Sequence, residues 1–474
     1  MQSVPLAVDV TETKAADALV IFGITGDLAR KMTLQSLYRL EVAKRLDCPV
    51  IGVALDDWSD DHLRRSAKAA VEAAGETVDE GAFKRLAKRL SYLKGDFTDR
   101  STYVALGNQL KDRSRPLFYL EIPPALFGPV TTALGRAGLT SRARVVIEKP
   151  FGHNLVSARA LNKLLHKVLD ESQILRIDHF LGKQPVLDIQ VLRFANSLLE
   201  PIWNREHVAA IQLTLAEEFG VDDRGAFYDS VGALRDVVQN HLLQVLALIA
   251  MEPPVGSGVD AVRDKKVDVF RAMPEADPSM YVRGQYAGYL QIPRVKPASA
   301  TETYAALKVE VNNWRWAGVP FFIRAGKAMA ATVTEVRVIL KRPPRLAFLE
   351  EPPNPDPTQI VLRIDPDPGL QFVLLSKGAD RKPQRVHLDL SFAKELGPSL
   401  EPYERLLHDA LIGELSLFTR EDSVEETWRI LQPLLDQTSV AEPYAPGSWG
   451  PPGAEAIVRG HSSWYPPWLA GSEE

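Results

Sequence analysis

One cysteine stands in the whole chain, Cys48. An intrachain disulfide needs two, so none is available, and a metal site built from several thiolates is excluded. Long apolar runs are missing as well. The most continuous, Ala18-Leu19-Val20-Ile21-Phe22, is far shorter than the roughly 20 residues that span a bilayer, and it reads as a buried strand. Near the N-terminus Asp9, Glu12, Lys14 and Asp17 interrupt any apolar stretch, so no targeting leader is expected. Charge of one sign is not in excess. The 56 Lys and Arg against 61 Asp and Glu leave a net charge of -5, with no field to recruit nucleic acid or an acidic membrane. A few local cations still suffice for a small anionic ligand. Internal repeats and low-complexity tracts are absent. The expectation is a cytoplasmic protein in a reducing compartment, with neither nucleic acid nor membrane as partner.

What is present is length and apolar material. The chain has 474 residues, 45% hydrophobic and 25% charged, enough for two domains with large cores. In the first 180 residues, short apolar runs alternate with helical stretches. The predicted strands are Ala18–Phe22, Pro49–Leu55, Leu117–Leu120, Arg144–Glu148 and Ile174–Asp178. Helices are predicted over Leu28–Leu46, Asp60–Ala74, Phe83–Tyr92 and Leu155–Leu169. Continuous apolar strands separated by helices indicate a parallel sheet covered on both faces, an α/β Rossmann-like doubly wound domain. The remainder is rich in strands with few helices between them: Val208–Leu215, Tyr304–Val311, Val319–Ile323, Glu335–Leu340, Ile360–Ile364, Gln371–Leu375 and Arg385–Leu390. Period-2 alternation, as in Glu335-Val336-Arg337-Val338-Ile339-Leu340, predicts an α+β domain with a large, mostly antiparallel sheet that has one solvated face. Helices over Phe227–Ala250, Tyr403–Leu417 and Val424–Leu435 are expected to cover the other face, and Pro352–Pro357, Asp365–Gly369 and Pro446–Gly453 read as loops. The boundary is placed in Phe180–Pro185, giving a dinucleotide-binding domain over 1–183 and a substrate and oligomerisation domain over 184–474.

The first strand runs into Gly23-Ile24-Thr25-Gly26-Asp27-Leu28-Ala29-Arg30-Lys31, and a helix follows. Glycine lets backbone approach a ligand closely, and a helix N-terminus offers free N–H groups to an anion, usually a dinucleotide pyrophosphate. Gly23, Thr25, Gly26, Asp27 and Leu28 are therefore candidate cofactor-binding residues. A plain strand-to-helix turn has the same local look, but the βα pattern downstream favours binding. The second strand ends in Leu55-Asp56-Asp57, with no basic residue until Arg64. An acid there suits the free 2′-hydroxyl of NAD, and an arginine the 2′-phosphate of NADP. Asp56 is thus a candidate for NAD, or else part of a solvated loop that caps the next helix.

Four clusters carry polar groups on apolar frames. Lys149, in Glu148-Lys149-Pro150-Phe151-Gly152, sits at the carboxyl edge of the parallel sheet, where ligands bind. In Arg176-Ile177-Asp178-His179-Phe180-Leu181-Gly182-Lys183, His179 and Lys183 are four apart and face one spot if the segment turns helically, a phosphate or carboxylate site. His241 lies on the apolar stripe of Leu234, Val237, Val238, Leu242 and Val245, either as a satisfied core histidine or as a general base suited to neutral pH. Asp236 is roughly 140° round an α-helix from His241, so the orienting carboxylate must come from elsewhere, and Asp178 is the candidate. Lys327, in Arg324-Ala325-Gly326-Lys327, supplies a further cation or simply ends a strand.

Taken together, the blocks Gly23–Lys31, Glu148–Gly152, Arg176–Lys183, Leu234–Gln244 and Val319–Lys327, with Tyr444–Pro451 near the end, resemble the glucose-6-phosphate dehydrogenase family from Ala18 to Trp464. The resemblance implies a Rossmann domain followed by a large α+β domain, in dimers or tetramers. It implies oxidation of glucose 6-phosphate at C1 to the 6-phosphogluconolactone with NADP or NAD, the first step of the oxidative pentose phosphate pathway. His241 would take the C1 hydroxyl proton, and Asp178 would orient His241. His179 and Lys183 would hold the 6-phosphate, and Glu217 and Asp236 the sugar hydroxyls. Lys149 and Lys327 would bind sugar oxygens, Lys149 also lying near the nicotinamide.

Some positions depart from the family pattern. Phe180 stands where tyrosine is usual, Thr332 where a second basic residue is usual, Leu55 where an NADP-selecting arginine is usual, and Gln184 where an acid is common. Weaker sugar-phosphate binding and relaxed cofactor choice follow as expectations. Two other readings stay open: a dehydrogenase for a different phosphosugar, and a non-catalytic nucleotide-binding paralogue, against which Asp178 and His241 both speak. No metal site is expected.

Overall fold

Residues Ala18–Phe22 are wholly buried and form β1. Around it the computed structural model, which describes residues 15–344, 357–379, 382–437, 439–461 and 463–469, builds a sheet from β2 (Val50–Ala54), β3 (Leu90–Lys94), β4 (Pro116–Leu120), β5 (Arg144–Ile147) and β6 (Ile174–Arg176). The strand order is β3-β2-β1-β4-β5-β6, and every pairing is parallel. Five of these strands were predicted. The exception is β3, which falls in Phe83–Tyr92, a stretch whose pattern predicts one helix. That helix ends at Arg89 and Leu90 turns directly to extended backbone. No glycine or proline marks the change, and the strand is only half-buried, so it lacks the apolar run that betrays the others.

The order reverses between β1 and β4, the topological switch point of a doubly wound sheet, and the segments beyond the strands' carboxyl ends are where such sheets bind ligands. Leu34, Leu37 and Leu40 from the helix Leu34–Val42, Leu63, Ala67 and Val71 from the helix Asp60–Ala73, and Phe83 and Leu86 from the next helix pack on one side of it. Leu406, Leu407, Ala410 and Leu411 join the same cluster. The helix that carries them, Pro402–Ile412, was expected over the second sheet. It belongs instead to the first compact unit, which comprises residues up to 151, 161–179 and 401–420.

The second unit takes residues 152–160, 180–400 and 421 onward. Its strands are β7 (Val208–Ala216), β8 (Tyr281–Tyr286), β9 (Tyr304–Glu310), β10 (Pro320–Gly326), β11 (Val333–Leu340), β12 (Gln359–Asp365), β13 (Gly369–Lys377), β14 (Pro383–Ser391) and β15 (Glu442–Tyr444). They form one sheet in the order β14-β13-β12-β11-β7-β10-β9-β8-β15. Among the described residues, only the β7–β10 and β8–β15 strand pairings of this sheet are parallel. β8 and β15 escaped prediction, the one for its polar and glycine content, the other for its length.

Val336, Val338, Ile360 and Leu362 of this sheet join Leu243, Leu246 and Ile249 of the helix Leu243–Ala250 in the larger core. The opposite face was expected to be solvated. In the structure Arg324, Glu335 and Arg337 are buried there, because residues 463–469 run across them. Arg324 donates to the Tyr465 carbonyl at 3.0 Å, Arg337 to that of Pro466 at 2.8 Å and Arg363 to that of Trp468 at 3.2 Å. The predicted loop over Pro352–Pro357 lies almost wholly outside the described residues, whereas Asp365–Gly369 and Pro446–Gly453 are the expected connections.

Candidate active site

The cradle at the end of β1 begins at Gly23, whose φ of 88° is left-handed and whose added Cβ would lie 2.2 Å from the Glu121 carbonyl oxygen. Only glycine fits that turn. Gly26 donates to the Gly23 carbonyl at 2.8 Å, closing it, and Thr25, Gly26 and Leu28 are half-buried beside it. Asp27 is exposed and pairs with Arg30 at 2.7 Å. The following helix opens with a π-helical turn, Ala29–Thr33, before its α-helical part. A glycine turn leading from a parallel strand into a helix suits a pyrophosphate, so these residues fit a dinucleotide. Beyond β2, Leu55 and Asp56 are exposed, and the Asp56 carbonyl accepts from Tyr92 at 2.7 Å. Arg64, the nearest basic residue in sequence, is committed to Asp61 at 2.9 Å and to the carbonyls of Ala87 and Leu90. The cation that the fold brings to this loop is Lys94 of β3, 2.9 Å from Asp57, and no spacing in the sequence pointed to it.

At the ends of β5 and β6 the first unit places Lys149, joined to Pro150 by a cis peptide, and then Asp178 and His179. Asp178 is buried, with 2% exposure, more deeply than the half-burial expected from its place directly after apolar residues. His179 is half-buried and lies parallel to the Tyr403 ring, 6.2 Å away. Glu148 accepts from Tyr119 at 2.7 Å, and burial pushes its carboxyl up to about 7. Arg176 is fully buried and bidentate to Glu171, at 2.6 and 3.2 Å, with Asn162 at 3.0 Å; it braces β6.

In the second unit the expected continuous helix over Phe227–Ala250 is broken. After a short turn, Gly232 takes a φ of 72°, and a π-helix spans Leu234–Leu242 before α-helix resumes. This corrects the angular argument about Asp236. A π-helix bonds each residue to the one five along, as Leu243 N–H does to the Val238 carbonyl, so residues 236 and 241 stand one turn apart on the same side. His241 is 1% exposed. Phe180 lies flat on its ring, with centroids 4.2 Å apart and planes at 13°.

His179–Gly182 turns as a short 3₁₀ helix. Lys183, just after it, is ion-paired to Asp365, and its ammonium lies 4.2 Å from the Phe180 ring centroid. Asp365 gave no sign of this in sequence, where it opened a loop. At the ends of β7 and β10, Glu217 and Lys327 meet, with Oε2 and Nζ 2.5 Å apart. Lys327 is only 7% exposed and lies 5.0 Å from the Phe219 ring, so it is no solvated strand-end lysine. Thr332 donates no charge here; its hydroxyl accepts from the Glu218 N–H at 3.0 Å.

Comparison with known proteins covers nearly the whole chain. Residues 20–188 match the family model for the NAD binding domain of glucose-6-phosphate dehydrogenase, and residues 190–465 the model for its C-terminal domain. The chain is 56% identical over 455 residues to glucose-6-phosphate 1-dehydrogenase 1 of Mycobacterium tuberculosis, covering 96% of this chain and 97% of that protein. It is 38% identical over 485 residues to a glucose-6-phosphate 1-dehydrogenase of Dickeya dadantii, covering 96% and 99%. Among solved structures, glucose-6-phosphate 1-dehydrogenase from Mycobacterium avium is 57% identical with a TM-score of 0.91, covering 96% and 99%. A glucose-6-phosphate dehydrogenase in complex with glucose 6-phosphate is 32% identical with a TM-score of 0.89, covering 96% and 100%.

Proposed function

The chain belongs to the glucose-6-phosphate dehydrogenase family, and from that premise we propose that it oxidises glucose 6-phosphate at C1 to 6-phosphoglucono-lactone, the first step of the oxidative pentose phosphate pathway. The observation that carries this reading is the buried histidine His241, set in a π-helical turn with Phe180 flat against it. The bound nicotinamide dinucleotide supplies the hydride acceptor. His241 takes the proton of the C1 hydroxyl, and Asp178 orients the imidazole and balances the charge it gains. A positioned base of this kind is worth roughly a hundred- to ten-thousandfold in rate.

Lys183 and His179 hold the 6-phosphate. Binding energy gathered there, remote from C1, positions the reacting carbon. Glu217 and Asp236 bind sugar hydroxyls, and Lys327 and Lys149 sugar oxygens. The Glu217–Lys327 pair supports this, because each partner fixes the other's rotamer before substrate arrives. Gly23, Thr25, Gly26, Asp27 and Leu28 take the dinucleotide phosphates, Lys149 lies by the nicotinamide, and Asp56 faces the adenosine ribose.

Both NADP and NAD serve, with NAD accepted at least as well, since Leu55 and Asp56 stand where the family's arginine would be. The division of labour is a dinucleotide domain over 1–183 and a substrate and oligomerisation domain over 184–474. The protein works in the cytoplasm as a homodimer or homotetramer; among the described residues no helix is long and apolar enough to cross a membrane. The test is the initial rate of reduced-nicotinamide formation with glucose 6-phosphate, run with NAD and with NADP. A rate with NAD equal to or above that with NADP is expected. A rate with NADP alone would overturn the reading of Asp56, and a better rate with another phosphosugar would shift the substrate, as Phe180 and Thr332 would then explain.

A further inference from the structure

Two carboxylates and three hydroxyls meet in the first unit, at the carboxyl ends of β4 and β5. Glu121 follows β4, and Glu148 follows β5. Thr33, in the π-helical turn that rises from the phosphate cradle, donates to Glu121 Oε1. Tyr119 donates to Glu148 Oε1 at 2.7 Å, and Tyr403 to Glu148 Oε2 at 3.4 Å. The Tyr119 hydroxyl also lies against the Glu121 carboxyl. Glu121 Oε2 is sealed from solvent and accepts no hydrogen bond among the described residues.

A count of protons follows from these contacts. Tyr119 has one, and Glu148 takes it; Thr33 has one, and Glu121 Oε1 takes it. With both acids ionised, Oε2 would be a buried anionic oxygen without a donor, which is strongly unfavourable. With a proton on Oε2 that oxygen carries no buried charge, and Glu121 and Glu148 together hold one negative charge. Glu121 is also part of the cradle's wall. Its N–H bonds the Phe22 carbonyl at 3.0 Å, and its own carbonyl is the atom that forces glycine at position 23.

We propose that Glu121 is a positioning residue for nucleotide binding: it retains one proton, so that the Glu121–Glu148 pair sets one negative charge, not two, behind the phosphate-cradling turn. The groups that face the pair are Thr33 from the helix, Tyr119 from β4, Tyr403 from the helix Pro402–Ile412, Lys149 beside Glu148, and Asp178 after β6. Lys149 is the cation among them, and Asp178 opposes it. Burial, the largest cause, raises Glu121 to about 8 and Glu148 to about 7. As the last proton leaves, a second buried charge faces a turn that must accept a pyrophosphate, and like charges repel.

The inference rests on the reading that this unit takes a nicotinamide dinucleotide. It is tested by the dissociation constant of NADP, followed by tryptophan fluorescence, between pH 6.5 and pH 9 for the wild type and Glu121→Gln. The wild-type constant is expected to rise by about tenfold over that range, the equivalent of one weak charge interaction, and that of E121Q to stay within about twofold. Parallel profiles for the two proteins would overturn the inference alone, and no binding of either NADP or NAD by the wild type would overturn the nucleotide reading with it. Should E121Q not fold, the infrared band of a protonated buried carboxyl decides in the wild type: it is expected at pH 6.5 and lost by pH 9, and its absence at pH 6.5 would overturn the proposal.

Discussion

Phe180, where the family resemblance leads one to expect tyrosine, lies flat against His241, the proposed base. Its ring fills the space against His241 and under the Lys183 ammonium, but it has no hydroxyl to offer a phosphate. Phe180→Tyr should restore one hydrogen bond to a charged group, worth about 1.5–3 kcal/mol at most, so the Michaelis constant for glucose 6-phosphate is expected to fall by about tenfold with little change in turnover number. Steady-state kinetics check it, and an unchanged constant would mean that the hydroxyl finds no phosphate. Glu121 makes a different prediction, about stability. Its folded-state pKa is raised, so the neutral form is favoured on folding; that contribution is complete below the unfolded value and is lost as pH climbs through about 8. The melting temperature of Glu121→Gln should therefore match or trail the wild type near pH 5 and exceed it at pH 9. Thermal melts at both pH values test this, and a constant difference would count against it. The glycine turn, Lys149, Asp178 and His241 were legible in the sequence because each sits where an apolar period ends or is interrupted. Glu121, Asp365 and Lys94 were not, since each acts on a partner that only the fold brings near.

At the scale of elements, the π-helix Leu234–Leu242 changes what spacing means. Apolar periodicity marked a helix there correctly, but a hydrophobic stripe cannot distinguish 3.6 residues per turn from the wider π turn, and so Asp236 was placed on the wrong side. The break that precedes it is set by Gly232, where an added Cβ would come within 2.6 Å of Glu302 and the φ is left-handed. Gly232→Ala should cost more than about 1 kcal/mol in stability, read by denaturant unfolding. It should also lower turnover, because the turn that carries His241 is displaced; full activity at reduced stability would mean that the π-helix is set by something else. β3 shows the same limit from the other side. A strand that begins one residue after a helix, half-buried and without a breaker, has no period of its own to read.

At the scale of the molecule, fold class and the two-part organisation were readable because each part keeps its own rhythm, apolar runs between helices in one and alternating strands in the other. The return of residues 401–420 to the first unit was not readable, since Leu406, Leu407 and Leu411 fit any apolar surface. Nor was the covering of the second sheet. Glu335 and Arg337 look like solvent-facing positions, yet they pair at 3.1 Å beneath the terminal segment, at 2% and 5% exposure. Breaking one half of such a pair leaves a buried charge, so Arg337→Met should cost about 3–5 kcal/mol, and the double variant with Glu335→Gln less than that. Equal losses in the single and double variants would show that the ion pair is not what matters there.

The central claim is that this chain removes hydride from C1 of glucose 6-phosphate with His241 as the base. The direct measurement is the initial rate of reduced-nicotinamide formation from glucose 6-phosphate by the wild type and by His241→Asn, at saturating nucleotide. A clear wild-type rate with a loss of at least about a hundredfold in the variant is the predicted result. A variant that turns over within a few-fold of the wild type would contradict the account.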